Sequence, residues 1–233
     1  MEIRTSSIMA YAKTTFGDVI SRLRKMTGNQ SFYDDYELGS YINEGIRVWN
    51  LWTGYWRGSE TLSSISGEFF YDTTLLKVLR VEVDSVPLEK DSIFNLDFGM
   101  ANWQSVAPGT PIRWFPIGLN KIGLVPAPIV GMSLTLHGIL AAPICTLRTD
   151  TIDASEDVIG AILNYAQHIA SFKSGGADFD SSMTLLYKFV ERAGIQNEKF
   201  KYTSIYRNTL GQDNEGMMHP QWKKINDGSR RSK

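Results

Sequence analysis

Apolar residues recur at spacings of three and four between residues 34 and 52. They form one stripe made of Leu38, Tyr41, Ile42, Ile46, Trp49 and Trp52. Polar side chains fill the opposite face, which is the pattern of an amphipathic helix. Asp34 and Asp35 stand where an N-cap and a first-turn acid belong, and Gly54 stands where the helix should stop. The sequence therefore predicts a central helix with one long buried face.

A second helix is predicted just before the central one, with Thr14 or Thr15 as its cap and Gly28-Asn29 at its end. Its apolar face contains Phe16, Val19, Ile20, Leu23 and Met26. The loop between the two helices is short, so we expect them to pack as an antiparallel pair.

The helical period returns after Asp153, where Asp153 and Glu156 have the spacing of a capping box. The following apolar stripe contains Val158, Ala161, Ile162, Tyr165, Ala166, Ile169 and Phe172. Gly175-Gly176 should break this helix, and Asp180 is predicted to cap a fourth one. Two amphipathic helices on each side of a different central region predict one discontinuous helical bundle.

Between residues 60 and 147 the apolar period falls towards two, while Gly and Pro recur. The strand candidates are residues 76–84, 93–98, 112–115, 120–125 and 132–140. Asp84 to Pro87 is predicted to be a turn, and Gly99 to Gly109 a long exposed loop that carries Trp103. The prolines keep any strands short or edge-like, so we expect a small antiparallel sheet or barrel.

The predicted fold class is α+β: a discontinuous four-helix bundle with an inserted small antiparallel β domain and an extended C-terminal arm. The predicted boundaries are 1–57 for an N-terminal arm and helical hairpin, 58–150 for the β insertion, 151–200 for the second hairpin and 201–233 for the arm. Past Lys199 the chain holds seven Lys/Arg against three Asp/Glu, together with several aromatic residues. Disordered tails are usually poor in aromatics. Two readings stay open, a flexible end or an arm that orders on a neighbouring subunit.

Composition and motifs argue against several function classes. The net charge of −1, the 42% hydrophobic content and the lack of a long apolar run fit a globular protein without a transmembrane helix. The single cysteine, Cys145, excludes an internal disulfide and lies among apolar residues. His137, His168 and His219 lie in three different regions without a second ligand at metal spacing. We therefore predict no enzyme activity, no cofactor and no metal site.

The aromatic content is high for this length. The six tryptophans are Trp49, Trp52, Trp56, Trp103, Trp114 and Trp222. The first two lie on the central stripe and are predicted to be core residues. Trp56, Trp103 and Trp222 fall in predicted loops or in the tail, where tryptophan is a favoured interface anchor. This pattern favours a protein that works by assembly with other proteins.

The order of these pieces resembles the head-to-tail adaptors of tailed bacteriophages, including the tail tubular protein A type. The resembling segments are Phe32 to Leu38 with Tyr41 to Ile46, Leu75 to Val81 with Val86-Pro87-Leu88, Gly109-Thr110-Pro111 with Ile122 to Pro128, and the predicted hairpin from Asp157 to Lys199. The patterns are individually loose, and their shared order carries the resemblance.

The resemblance implies a structural virion protein at the head–tail junction, assembled in the host bacterial cytoplasm. Its copies, usually twelve, would form a ring beneath the portal, with the bundle around the DNA channel and the β part towards the downstream tail or nozzle protein. Such a position would also allow non-specific contact with the packaged DNA, and no membrane partner is expected. The predicted portal-binding arm residues are Tyr202, Tyr206, Met217, Met218, Trp222, Arg230 and Arg231. Trp103 is the candidate for a tail-side loop.

Three alternatives remain open at this stage. The protein could be a tail-side stopper or another minor tail protein with the same fold. It could be a cell-wall-active virion component, a reading motivated by Trp103 in its predicted loop. It could also be a DNA-binding module that uses the basic end at Arg230 and Arg231, for which a solubilising terminus is the simpler interpretation.

Overall fold

The structure is a computed structural model that describes residues 13–28, 31–100, 102–118 and 120–210. Within these ranges the fold is α+β. The helices are α1 (Phe16–Met26), α2 (Asp35–Thr53), α3 (Ile93–Gly99), α4 (Glu156–Ser174), α5 (Gly176–Gln196) and α6 (Ser204–Thr209). The strands are β1 (Thr14–Thr15), β2 (Arg57–Ser63), β3 (Phe70–Asp72), β4 (Lys77–Val83), β5 (Val86–Pro87), β6 (Glu89–Lys90), β7 (Arg113–Pro116), β8 (Lys121–Val125), β9 (Ser133–Ile139) and β10 (Thr151–Ile152).

The described chain divides into two compact units. The helical unit contains the residues up to Thr53 and those from Pro143 onward, and the β unit runs from Gly54 to Ala142. Helices α1, α2, α4, α5 and α6 belong to the helical unit, and α3 belongs to the β unit. The helical unit is therefore built from two separate stretches of sequence.

Local capping explains where the first two helices begin and end. Thr15 caps α1, because its hydroxyl accepts a hydrogen bond from the backbone N–H of Asp18 at 3.2 Å. Asp34 caps α2, because its carboxylate accepts from the N–H of Glu37 at 2.6 Å. Gly54 follows the last residue of α2 with a φ of +59°, a conformation that glycine adopts without strain. These predicted caps are confirmed.

Two predicted caps in the second half of the helical unit are wrong. Ser155, not Asp153, caps α4, since its hydroxyl accepts from the N–H of Val158. Asp180 lies inside α5, which begins four residues earlier. Gly175 separates α4 from α5 with a φ of +69°, so the predicted break is confirmed and the new helix begins directly after it. The polar residues around Asp180 resemble a helix N-terminus, but the helix has already begun at the glycine pair.

The core of the helical unit lies between α2, α4 and α5. The buried face of α2 includes Leu38, Ile42, Ile46 and Trp49, as the apolar stripe predicts. Gly45 brings α2 close to α4, because a Cβ at that position would lie 3.1 Å from Ile162 Cγ2. The ring of Trp49 packs against Phe189 of α5, with centroids 5.6 Å apart. Each large buried side chain of this kind adds roughly 1.5–3 kcal/mol of hydrophobic stabilisation.

Two further contacts tie the early and late segments of the helical unit together. Strand β1 pairs with β10 in antiparallel register, with Thr14 opposite Ile152. Farther along, Asn43 makes two hydrogen bonds to the backbone of Cys145: its Nδ2 donates to the carbonyl at 2.8 Å, and its Oδ1 accepts from the N–H at 3.0 Å. The amide side chain thus pairs with the backbone of Cys145 as a neighbouring strand would.

The β unit contains two four-stranded sheets. One has the order β2-β9-β4-β5, and its pairs are antiparallel. The other has the order β3-β8-β7-β6 and is mixed, because β6 runs parallel to β7. Asp84 and Ser85 link β4 to β5 with φ values of +47° and +69°, as in a two-residue hairpin. The core contains Leu75, Val81, Trp114, Leu124 and Leu136.

The predicted strand at residues 93–98 is wrong, because this segment forms α3. Ser92 caps the helix by accepting a hydrogen bond from the N–H of Asn95 at 3.1 Å. Leu96 is fully buried, whereas its neighbours Phe94 and Phe98 point to solvent. One buried residue per two turns and a serine cap fit a short helix better than the alternation of a strand.

Candidate functional site

The predicted arm residues fall on both sides of residue 210, where the described chain ends. Met217, Met218, Trp222, Arg230 and Arg231 lie outside the described residues. Tyr202 and Tyr206 lie inside them. The structure therefore describes the first part of the predicted arm, up to Leu210.

The first residues of the predicted arm are folded, not extended. Phe200–Tyr202 forms a 3-10 helical turn, and α6 follows directly. Tyr206 is only 7% exposed and lies in α6, so it is not part of an extended arm as predicted. Its ring packs edge-on against Phe200, with centroids 5.5 Å apart. The boundary at residue 201 was predicted because the apolar period fades there. A single 3-10 turn and a six-residue helix are too short to show a helical period.

Five aromatic residues hold this segment in place, and we call them the arm-root cluster. They are Trp49, Trp52, Phe189, Phe200 and Tyr206. Trp52 and Phe200 stack with centroids 4.8 Å apart and an interplanar angle of 21°. Trp52 also meets Phe189 at 5.3 Å. Aromatic contacts of this kind stabilise by about 0.5–1.5 kcal/mol beyond the area they bury.

Hydrogen bonds set the direction of the chain at the arm root. Asn197 ends α5, and its Nδ2 donates to the backbone carbonyl of Trp52 at 2.7 Å. Thr203 caps α6, because its hydroxyl accepts from the N–H of Tyr206 at 3.3 Å. These bonds, together with the aromatic stacking, fix residues 197–206 on the ends of α2 and α5.

Part of the arm root stays at the surface. Tyr202 is 66% exposed, and Ile195 and Ile205 are also more than half exposed. Exposed aromatic and aliphatic side chains are suited to contact with a second protein. The local positive charge comes from Lys199, Lys201 and Arg207.

Trp103 does not lie in an exposed loop, so that prediction is wrong. The residue is 4% exposed and belongs to a small core with Leu96, Phe115 and Val125. Its indole N–H donates to Asp97 Oδ1 at 2.8 Å. The sequence around Trp103 is rich in Gly, Pro and Ala, which predicts a loop but gives no sign of the ring's direction. The exposed aromatic residues near it are Phe94 and Phe98, which the mistaken strand assignment had hidden.

The helical unit also contains a polar cleft of about 370 Å³. Hydroxyl groups dominate its lining, among them those of Tyr33, Ser171 and Ser182. Next to it, His168 Nδ1 lies 2.9 Å from Ser182 Oγ, and that hydroxyl donates to the carbonyl of Phe179 at 2.6 Å. Burial lowers the pKa of His168, which favours the neutral imidazole. Since the serine hydroxyl is buried and bonded to backbone, the pair reads as polar packing between α4 and α5.

Other chemistry-bearing groups are engaged in structure. Cys145 is buried, and burial raises the pKa of its thiol, which disfavours the reactive thiolate. No group of three or more His, Cys, Asp or Glu residues within the described ranges lies close enough to hold a metal ion. Across the same ranges, no helix combines the length and apolar character that a membrane crossing requires.

Two carboxylates with lowered pKa values, those of Asp35 and Glu37, form ion pairs within the helical unit. Asp35 accepts hydrogen bonds from Arg24 and Arg148, and these guanidinium groups lower the pKa of its carboxyl. The Lys173 ammonium lies 2.7 Å from Glu37 Oε2 and lowers the pKa of that group. These charges connect segments of the helical unit.

The chain matches no known protein-family profile and no curated protein.

Proposed function

We propose that the protein is a head-to-tail adaptor of a tailed bacteriophage, which joins the portal ring to the tail and continues the DNA channel. The observation that carries the proposal is the arm root. Trp52, Phe189 and Phe200 hold the chain firmly on the helical unit, and the chain continues for 23 residues beyond Leu210. A fixed base followed by a long segment is the arrangement that an arm needs to reach another subunit.

The chemistry of residues 211–233 suits such a role. The segment carries five Lys/Arg against three Asp/Glu, and its apolar side chains include Met217, Met218 and Trp222. Separated anchors on a polar chain can bind a large surface while they order, which is how segments that fold on binding work. Fully extended, 23 residues span at most about 80 Å. Arg230 and Arg231 would add positive charge after the apolar anchors.

The finer fold that we propose is a discontinuous four-helix bundle made of α1, α2, α4 and α5, with the β unit inserted between its halves. Support comes from the chain order and from the contacts of α2 with α4 and α5. In a ring, each bundle would contact its two neighbours through different surfaces, which close only at the correct rotation. The resemblance gives twelve copies as the usual number.

The cell-wall-active alternative loses its motivation. It rested on an exposed Trp103 in a loop, and this ring is buried against Phe115 with its indole N–H bonded to Asp97. The tail-side stopper has no comparable observation against it. It differs from the adaptor in which partner it binds, so the portal experiment separates the two.

The test is to mix the purified protein with the portal ring from the same genome and to measure the mass of the complex by light scattering. We expect a complex of fixed stoichiometry near the symmetry of the portal. A variant that ends at Leu210 should keep the arm-root cluster and unfold at the same temperature, yet fail to bind. A second variant, in which Lys223 and Lys224 are replaced by Gln, separates charge from the apolar anchors.

Two results would contradict the proposal in different ways. If the full-length protein forms no complex at concentrations well above micromolar, the adaptor role is wrong and the tail-side alternative becomes the leading one. If the variant ending at Leu210 binds as well as the full-length protein, the arm is not the portal contact. Retained binding in the lysine variant together with loss after Trp222→Ala would assign the contact to the apolar anchors.

A further inference from the structure

Helix α3 presents two phenylalanine rings to solvent. Phe94 and Phe98 are 76% and 88% exposed, respectively. They lie one helical turn apart, and their rings stack with centroids 6.4 Å apart and an interplanar angle of 12°. Ile93 and Met100 extend the apolar surface at the two ends of the helix. A contiguous exposed apolar patch of about a few hundred Å² is often functional on a monomeric protein.

Contacts with the rest of the β unit hold α3 rigidly in place. Leu96 is fully buried in the small core beside Phe115. Asp97 accepts the indole N–H of Trp103 at 2.8 Å, and the Ser92 hydroxyl caps the first turn. These contacts fix the side of α3 opposite the two rings. A partner that binds the rings would therefore spend little free energy on ordering the helix.

The charges around α3 have a small negative excess, three carboxylates against Lys90 and Arg113. The segment from Glu89 to Gly99 contains three carboxylates and one lysine. Arg113 on β7 pairs with Glu89 at 3.5 Å and with Asp91 at 3.3 Å, while Glu89 keeps 72% of its side chain exposed. Negative charge disfavours the phosphates of nucleic acids and of anionic lipid surfaces. A protein whose surface carries cations or hydrogen-bond donors is the complementary partner.

The size of the surface argues against a symmetric dimer through α3. With about 150–250 Å² for a whole aromatic side chain, the two rings expose roughly 250–400 Å². A stable interface of standard size needs about 800 Å² from each partner. Two anchors at positions i and i+4 of one helix are instead typical of a helix that lies in a groove of another protein.

We propose that α3 is a docking helix that inserts Phe94 and Phe98 into an apolar groove of a second protein. The rim of that groove carries cationic or hydrogen-bond-donating groups opposite Glu89. The inference rests on the proposed function, because that function identifies the second protein as the tail component that joins the adaptor. The site is separate from the arm, so each contact can be lost without the other.

The test compares two matched double variants of the full-length protein. Phe94→Gln/Phe98→Gln removes the two rings from α3. Val86→Gln/Val130→Gln makes the same kind of change at two other exposed apolar positions of the β unit. Both should fold like the parent, because all four side chains are mostly exposed. Each variant is bound to the portal ring, and the tail protein from the same genome is titrated onto the complex while its affinity is measured.

We expect the phenylalanine variant to bind the portal normally and to lose at least about thirtyfold in affinity for the tail protein, the effect of removing an interface hot spot. The valine variant should bind both partners like the parent. Equal tail affinity in all three proteins would overturn the docking helix and leave the adaptor role intact. A phenylalanine variant that loses portal binding or self-association would show that the rings serve a different partner.

Discussion

Gly194 on α5 lies directly beneath the ring of Tyr206 on α6. A Cβ at position 194 would come within 2.3 Å of Tyr206 Cε2, which is far closer than two non-bonded carbon atoms can approach. An alanine at this point of α5 would force the Tyr206 ring to move, so glycine fits here although glycine inside a helix costs about 0.5–1 kcal/mol relative to alanine. The close approach is what allows α6 to cover the end of the helical unit.

Gly194→Ala should displace Tyr206 and loosen α6. We expect a loss of about 1–3 kcal/mol in unfolding free energy, the usual cost of overpacking. Trypsin should also cleave faster after Arg207, because an undocked α6 exposes its backbone. Gly160→Ala on α4 is the matched control, since a Cβ there meets no atom within 4 Å, and it should be neutral or stabilising. Equal trypsin sensitivity in both variants would contradict the close contact.

Trp49→Ala should cost about 3–5 kcal/mol, because it leaves a large cavity beside Phe189. The indole is 2% exposed, and its N–H has no hydrogen-bond partner among the described residues. Trp49→Phe keeps most of the ring and removes this unsatisfied donor, so it should cost less than half as much. Urea unfolding of the two variants measures the difference. A loss below 1 kcal/mol for Trp49→Ala would show that this ring is not part of the core.

Asn43→Ala should destabilise the protein by about 1–3 kcal/mol, since it leaves the N–H and the carbonyl of Cys145 without their side-chain partner. Asn43→Asp keeps an acceptor for the N–H but offers no donor to the carbonyl, so it should not restore stability. Asn208→Ala at an exposed position should stay within about 0.5 kcal/mol of the parent. Restored stability in Asn43→Asp would mean that only one of the two bonds matters.

The stability of the protein should fall as the pH drops through the ordinary histidine range. Burial lowers the pKa of His168 in the folded state, so the unfolded chain takes up a proton first, near pH 6.5. Below that pH the unfolding free energy falls by up to about 1.4 kcal/mol per pH unit, until the folded state is protonated as well. Above it the contribution is fully present.

His168→Gln should remove most of this pH dependence between neutral and mildly acidic conditions. His137→Gln is the control, because His137 is partly exposed on β9 and pairs with Glu82 at 3.5 Å. Urea unfolding at several pH values compares the two variants with the parent. An unchanged slope in His168→Gln would assign the pH dependence to other groups. The carboxylates with lowered pKa values lose their contributions only at more acidic pH.

Local signals predicted the features that local physics controls. Thr15, Asp34, Gly54 and Gly175 act as caps or breaks because a few neighbouring atoms decide the backbone there. The hairpin turn at Asp84 has the same origin. The apolar stripe of α2 also identified its buried face, because a repeated spacing of three and four averages over many residues.

Features decided by distant contacts were not visible in the sequence. The burial of Trp103 depends on Phe115 and on Asp97, and the docking of Tyr206 depends on Gly194. In both cases a side chain that looks free in its own segment meets a surface from elsewhere in the chain. Phe94 and Phe98 were missed for the opposite reason, since an apolar residue in a mixed segment is expected to face inward.

The pairing of β1 with β10 has a consequence for the order in which the chain acquires its structure during synthesis. Thr14 cannot pair until Ile152 has been synthesised. Helices α1 and α2 therefore leave the ribosome long before the later segments that bury them. At about 5–20 residues per second, that wait lasts roughly seven to thirty seconds. The β unit is completed within this interval from consecutive residues. We therefore expect it to fold first, while the exposed stripe of α2 depends on chaperones until α4 emerges.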